Sequence, residues 1–192
     1  MNYQDYIWDL GGTLLDNYET STAAFVHTLQ DFGLTASHDE VYKALKVSTE
    51  YAVRQFAPRN KEFLKAYKAN EAKELEHPIL FEGASELLAQ IIQQGGRNFL
   101  ISHRDDQVLE ILQKTQISAY FTEVVTATNG FKRKPDPESM LYLKDKYQIE
   151  SGLVIGDRPI DIEAGQAAGF SCYLFDNMKN LKEFVDIELE KE

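Results

Sequence analysis

The chain of 192 residues has a single cysteine, Cys172, so no disulfide can form within it. Cys172 lies in the apolar run FSCYLF and reads as an inert core thiol, not a nucleophile or metal ligand. No apolar run approaches the roughly 20 residues of a membrane span. The N-terminus lacks a basic start followed by an apolar stretch, so no secretory signal is expected and the cytoplasm is the expected compartment. Basic charge is also scarce. Against 31 Asp and Glu there are 20 Lys and Arg, a net charge of −11. That balance argues against a nucleic-acid backbone or an anionic membrane as the main partner. A small anionic substrate is still compatible, because a local site can oppose the net charge. There are no low-complexity tracts or internal repeats, and 43% hydrophobic content is ordinary for a folded chain. The length suits one domain, or one domain with a small insert.

Five short runs have strand character: 5–10 (DYIWDL), 98–102 (NFLIS), 123–127 (EVVTA), 152–157 (GLVIGD) and 171–175 (SCYLF). Most are continuously apolar, as in parallel strands covered on both faces. Helical patterns separate the later ones. Ala84, Leu87, Leu88, Ile91 and Ile92 follow helical spacing up to a Gly pair, and Val108, Ile111 and Leu112 do the same. In PDPESMLYLKDKY, Asp136 is the expected N-cap and Pro137 the first helical residue. The alternation predicts an α/β fold, a doubly wound, Rossmann-like parallel sheet of about five strands.

Residues 17–79 differ. They contain no convincing strand and read as four helices. Tyr18, Thr22, Phe25, Leu29 and Phe32 form the first stripe, which stops at Gly33, and the fourth helix is expected to open at Pro58. The expected organisation is a core of residues 1–16 and 80–192 with an inserted helical cap at 17–79.

In open α/β sheets, functional residues gather beyond the carboxyl ends of the strands. The first run delivers Asp9 followed by GGT, the second Ser102 in ISHRD, and the fourth Asp157 and Asp161 in GDRPID. The segment after the third run delivers Lys134 in FKRKPDP. Carboxylates, a hydroxyl and an ammonium on one edge suit a phosphoryl group and a hard cation. Glycine at 11 and 12 permits backbone angles that turn the amides of Gly11, Gly12 and Thr13 toward an anion. His103 either reaches substrate or shapes the turn, and Lys132 and Arg133 read as solvated.

In order and spacing these segments resemble the motifs of the haloacid dehalogenase superfamily, in its branch with a helical cap after the first motif. Phosphoglycolate-phosphatase-like members are the nearest resemblance. It spans essentially the whole chain: WDLGGTLLD matches motif one, LISH motif two, KRKPDP motif three and VIGDRPIDIEAG motif four. The resemblance implies that Asp9 is the nucleophile, forming an aspartyl intermediate. It further implies that Asp9, Asp157 and the carbonyl of Gly11 bind Mg²⁺. Asp161 would ligate the metal directly or orient its water, and Ser102 and Lys134 would bind phosphate. The implied partner is a small phosphorylated metabolite.

One position departs from the family pattern. Most phosphatases of this superfamily carry a second Asp where this chain has Gly11, and that Asp protonates the leaving oxygen and then activates water. A carbonyl ligand survives the change to Gly; general acid/base help does not. Three readings follow. The protein is a phosphatase that is slow or draws its acid from His103, Asp16 or the cap. Alternatively, it hydrolyses phosphonates or another C–X bond, or it binds a phosphorylated metabolite without turnover.

Overall fold

A computed structural model describes residues 3–190. The chain divides into two compact units, Met1–Leu15 with Leu80–Glu192, and Asp16–Ile79. The first boundary falls one residue earlier than expected because Asp16 belongs to the helix that follows: its Oδ1 accepts from the Glu19 backbone N–H at 3.0 Å.

In the first unit all five predicted runs form strands: β1 (Asp5–Trp8), β2 (Arg97–Ile101), β3 (Phe121–Val125), β4 (Gly152–Gly156) and β5 (Ser171–Leu174). Every pairing is parallel, in the order β3-β2-β1-β4-β5. This is the expected doubly wound α/β sheet.

Both faces of the sheet are covered, which accounts for the lack of polar alternation in the strands. Side chains still alternate in direction. Tyr6, Trp8, Leu100 and Ile155 join Leu87, Leu88 and Leu181 in one apolar cluster. Ile7, Phe99, Ile101 and Val154 join Met140, Leu143 and Ala164 in another. The covering helices are α5 (Ala84–Gln93), α6 (Gln107–Lys114), α7 (Glu138–Tyr147), α8 (Pro159–Ala167) and α9 (Met178–Glu190). Helix α7 begins one residue later than predicted, with Pro137 at the cap and Asp136 Oδ1 accepting from Glu138 N–H at 3.0 Å. At the opposite end of the sheet from the glycine-rich loop, Asp5 pairs with its register partner Arg97 through contacts of 2.6 and 3.0 Å.

The second unit is helical: α1 (Asn17–Asp31), α2 (His38–Val47), α3 (Thr49–Phe56) and α4 (Phe63–Glu74). Its core centres on Phe25, whose ring lies 4.9 Å from those of both Phe63 and Tyr67. Gly33, at φ +69°, ends α1 as expected. The fourth helix does not open at Pro58. Asn60 makes a turn first, its side chain accepting from Glu62 N–H and its carbonyl from Phe63 N–H. Among the described residues no helix is long and apolar enough to cross a membrane.

Candidate active site

The sheet order reverses direction at β1, and in such folds the crevice at the reversal lies beyond the strand carboxyl ends. Asp9 directly follows β1, Asp157 follows the neighbouring β4, and Ser102 follows β2 on the other side. Lys134 comes from the loop between β3 and α7, whose Lys134–Pro135 peptide is cis.

Asp9, Lys134 and Asp161 are buried together. Lys134 Nζ lies 2.6 Å from Asp9 Oδ1, forms a second ion pair with Asp161 Oδ1, and reaches the Ile101 carbonyl at 3.5 Å. Asp161 sits in the first turn of α8, where its Oδ2 accepts from the Arg158 backbone N–H at 3.2 Å. It therefore caps the helix and faces the lysine at once. Asp157 is half-buried and accepts from Thr13 Oγ1 at 3.4 Å. One oxygen from each of Asp9, Asp157 and Asp161 lies within 4.8 Å of the others.

Asp9 and Asp161 thus share one ammonium while Asp157 lies beside them, and the titration of Asp9 and Asp157 reflects the crowding. Burial pushes Asp9 above the ordinary carboxylate value; Lys134 opposes the shift and Asp161 adds to it. Asp157 is pushed up to about 6 by burial, then by Asp9 and Asp161. A cluster so short of positive charge, with only oxygen donors, fits a hard divalent cation such as Mg²⁺. Gly11 follows Asp9 by two residues, half-buried on the loop after β1.

The glycine-rich loop differs from the expected anion cradle. The left-handed residue is Gly12, at φ +85°, and Gly11 has no positive φ. The amides of Gly12 and Thr13 are used within the turn, donating to the carbonyls of Leu15 (2.9 Å) and Leu10 (3.4 Å). Thr13 is fully buried and directs its hydroxyl at Asp157. A Cβ at position 12 would collide with the Asp157 carboxylate. Both residues therefore shape the setting of Asp157, with their amides and the Thr13 hydroxyl spent on contacts within the protein.

Ser102 is buried at the end of β2. Its Oγ accepts from the Arg104 backbone N–H at 3.2 Å, and its own proton goes to none of the described residues. It does not cap α6, where Asp105 Oδ1 accepts from Gln107 N–H. His103 has a role that the sequence reading left open: Nε2 accepts from the backbone N–H of Lys134 at 2.8 Å. This bond fixes the loop whose side chain enters the site. Burial and the nearby charges of Lys134 and Arg133 push His103 down to about 4, so the ring is neutral at physiological pH. Lys132 and Arg133 are exposed, as expected. Trp8 is core, with its Nε1–H bonded to Asn98 Oδ1 at 2.9 Å. Cys172 is half-buried beside Gly165, less enclosed than the sequence suggested.

Residues 6–175 match the sequence model of the haloacid dehalogenase-like hydrolases. A hydrolase of known crystal structure from Streptococcus pneumoniae TIGR4 is 70% identical, with a TM-score of 0.94 over 97% of this chain and 100% of that one. A phosphoglycolate phosphatase of Aliivibrio fischeri is 29% identical over 88% of this chain and 81% of its own length. A putative pyrophosphatase PpaX of Caldanaerobacter subterraneus is 26% identical over 85% of this chain and 77% of its own length.

Proposed function

Because the chain belongs to the haloacid dehalogenase-like hydrolase family, we propose that it is a Mg²⁺-dependent phosphatase of the cytoplasm acting on a small phosphate monoester. The observation that carries this reading is the lysine held between two buried carboxylates, with a third beside them, at the reversal of the sheet. The phosphatase names of two relatives support the same chemistry.

In this reading Asp9 attacks phosphorus, the ester P–O bond breaks, and an aspartyl-phosphate forms that water then hydrolyses. Lys134 neutralises charge between the attacking carboxylate and the phosphoryl oxygens, which would otherwise repel. Ser102 donates its uncommitted O–H to another phosphoryl oxygen, and His103 completes the substrate side through the Lys134 loop. Asp9, Asp157, Asp161 and the Gly11 carbonyl would hold Mg²⁺, which when bound screens the negative charge that the two reactants bring together. Gly12 and Thr13 serve by fixing Asp157. The loop offers no carboxyl at Gly11 to protonate the leaving oxygen, so turnover is slow for poor leaving groups. Residues 17–79 form the cap and carry specificity.

The test is a panel of small phosphate esters with Mg²⁺, run on the wild type and Asp9→Asn. The expected result is phosphate release by the wild type alone, with a transient phosphoryl adduct on Asp9 in mass spectra. Equal release by Asp9→Asn, or none by either protein with phosphate binding retained, would overturn the reading.

A further inference from the structure

A cavity of about 130 Å³ opens beside the site, at the carboxyl ends of β2 and β3 and along the loop that carries Lys134. Ser102, His103, Thr126, Lys132, Arg133 and Ser139 supply its polar lining, and none of its described lining residues is acidic.

Two features of this lining are unsatisfied. His103 Nε2 lies 2.8 Å from the Lys134 backbone nitrogen, and its Nδ1 lies 3.3 Å from Arg133 Nε. Both neighbours are N–H donors. A neutral imidazole has one acceptor nitrogen and an imidazolium has none, so the ring cannot accept from both. The backbone amide makes the closer contact and takes the Nε2 lone pair, which leaves the proton on Nδ1. Nδ1–H and the Arg133 Nε–H then face each other as two donors with no acceptor between them. The second feature is Ser139. Its residue is 3% exposed, and its Oγ has no hydrogen-bond partner among the described residues. Buried hydroxyls are ordinarily paired.

Of the other polar groups, the Ser102 hydroxyl is the one assigned above to the phosphoryl group, and two more are engaged within the protein. Thr126 Oγ1 donates to Asp106 at 2.8 Å, and Lys132 Nζ lies 3.6 Å from Asp136. The vacant donors are therefore His103 and Arg133, with Ser139 behind them. A single oxyanion resolves the conflict, since one of its oxygens can accept from both facing N–H groups and bring the charge that an arginine favours.

We propose that this cavity is a second oxyanion subsite, in which His103 Nδ1–H and Arg133 Nε–H share an oxygen of a carboxylate or phosphate carried by the substrate. The inference rests on the phosphatase reading above and narrows its substrate class to phosphate esters with a second anionic group. Lys134 links the two places: its backbone N–H holds His103 while its Nζ holds Asp9. The two anionic groups would then belong to one small substrate, one facing Lys134 Nζ and the other His103 Nδ1–H.

Three esters on the same two-carbon backbone test this: 2-phosphoglycolate, ethylene glycol bisphosphate and the neutral-tailed 2-hydroxyethyl phosphate. In Arg133→Gln the preference for an anionic tail over the neutral one, as a ratio of kcat/KM, should fall by about tenfold or more, chiefly through KM. The tail whose preference falls identifies carboxylate or phosphate as the native group. An unchanged ratio with turnover retained would overturn the subsite and leave the phosphatase reading standing. If no ester turns over, the phosphatase reading fails, and NMR of ¹⁵N-histidine-labelled protein judges the subsite separately. His103 should show the Nδ1–H tautomer. Its resonance should shift on adding acetate or inorganic phosphate in the wild type, and much less in Arg133→Gln. An Nε2–H tautomer, no response to either ion, or equal responses in both proteins would overturn the subsite.

Discussion

Lys134 and Asp9 are 125 positions apart in the chain, and Lys134 Nζ lies 2.6 Å from Asp9 Oδ1 with both side chains almost wholly buried. Buried charges are costly to desolvate, and a pair so enclosed is tolerated only while each member has the other. Lys134 also faces Asp161, so one ammonium compensates two carboxylates that would otherwise repel.

Replacing that ammonium should therefore cost stability as well as chemistry. Lys134→Met is expected to lose about 3 kcal/mol or more, the range for a buried pair left with one charge. Urea denaturation of metal-free protein would measure it. Adding Asp9→Asn to Lys134→Met should recover part of the loss, because one of the stranded carboxylates is then neutral. A double variant no more stable than Lys134→Met would show that Asp9 is not the group in need of compensation.

Gly12→Ala tests the loop. Position 12 combines φ +85° with a Cβ site that the Asp157 carboxylate already occupies. A left-handed non-glycine residue costs about 1–3 kcal/mol, and the collision should displace Asp157 in addition. The melting temperature should fall, and calorimetry should show weaker Mg²⁺ binding. Retained Mg²⁺ affinity in a destabilised variant would separate backbone strain from the metal.

Much of this arrangement was legible in the sequence, for physical reasons that differ by residue. The strands announced themselves as apolar runs because helices cover both sheet faces, and Asp9, Ser102 and Asp157 followed as the polar residues where those runs stop. Lys134 needed the whole motif pattern, since nothing local separates it from Lys132 and Arg133. What stayed hidden depends on chain folding back over distance. His103 anchors Lys134 from 31 positions away, and Thr13 reaches Asp157 from 144. Glycine at 11 and 12 promised an unusual backbone but not which of the two adopts it. Pro58 looked like a helix start because proline suits a first turn, yet Asn60 supplied a competing turn.

In the helical unit, Glu71 gives a pH-dependent contribution. It accepts from Ser21 Oγ at 2.8 Å, Tyr67 Oη at 2.6 Å and Lys68 Nζ at 2.7 Å, tying α4 to α1. Burial pushes its pKa up, but the bonds from Lys68, Tyr67 and Ser21 outweigh that and hold it below the ordinary 4.5. A carboxyl depressed in the folded state stabilises the fold above its unfolded pKa and loses that contribution as pH falls through the folded value. Glu71→Gln should accordingly melt lower than wild type at pH 7, and the gap should narrow as pH drops below 4.5. A gap independent of pH would mean that the carboxylate charge contributes nothing.

Gly11→Asp asks whether one side chain is all that the reaction lacks. Asp9, Lys134 and the two further carboxylates are in place, and a proton donor for the leaving oxygen is the missing part. Because Gly11 has no positive φ, an aspartate there meets none of the left-handed strain that Gly12 would impose. Position 11 is also only half-buried, so the new carboxyl is not forced into the core. Turnover of alkyl phosphates, whose departing oxygen needs a proton, should rise by roughly 10²-fold, the lower end of general acid help. Turnover of p-nitrophenyl phosphate, whose leaving group departs without one, should rise much less. The slope of log kcat/KM against leaving-group pKa should therefore flatten in the variant. A folded Gly11→Asp protein that binds Mg²⁺ but keeps the wild-type slope would assign the acid role to another residue, or the chemistry to a bond other than a phosphate ester.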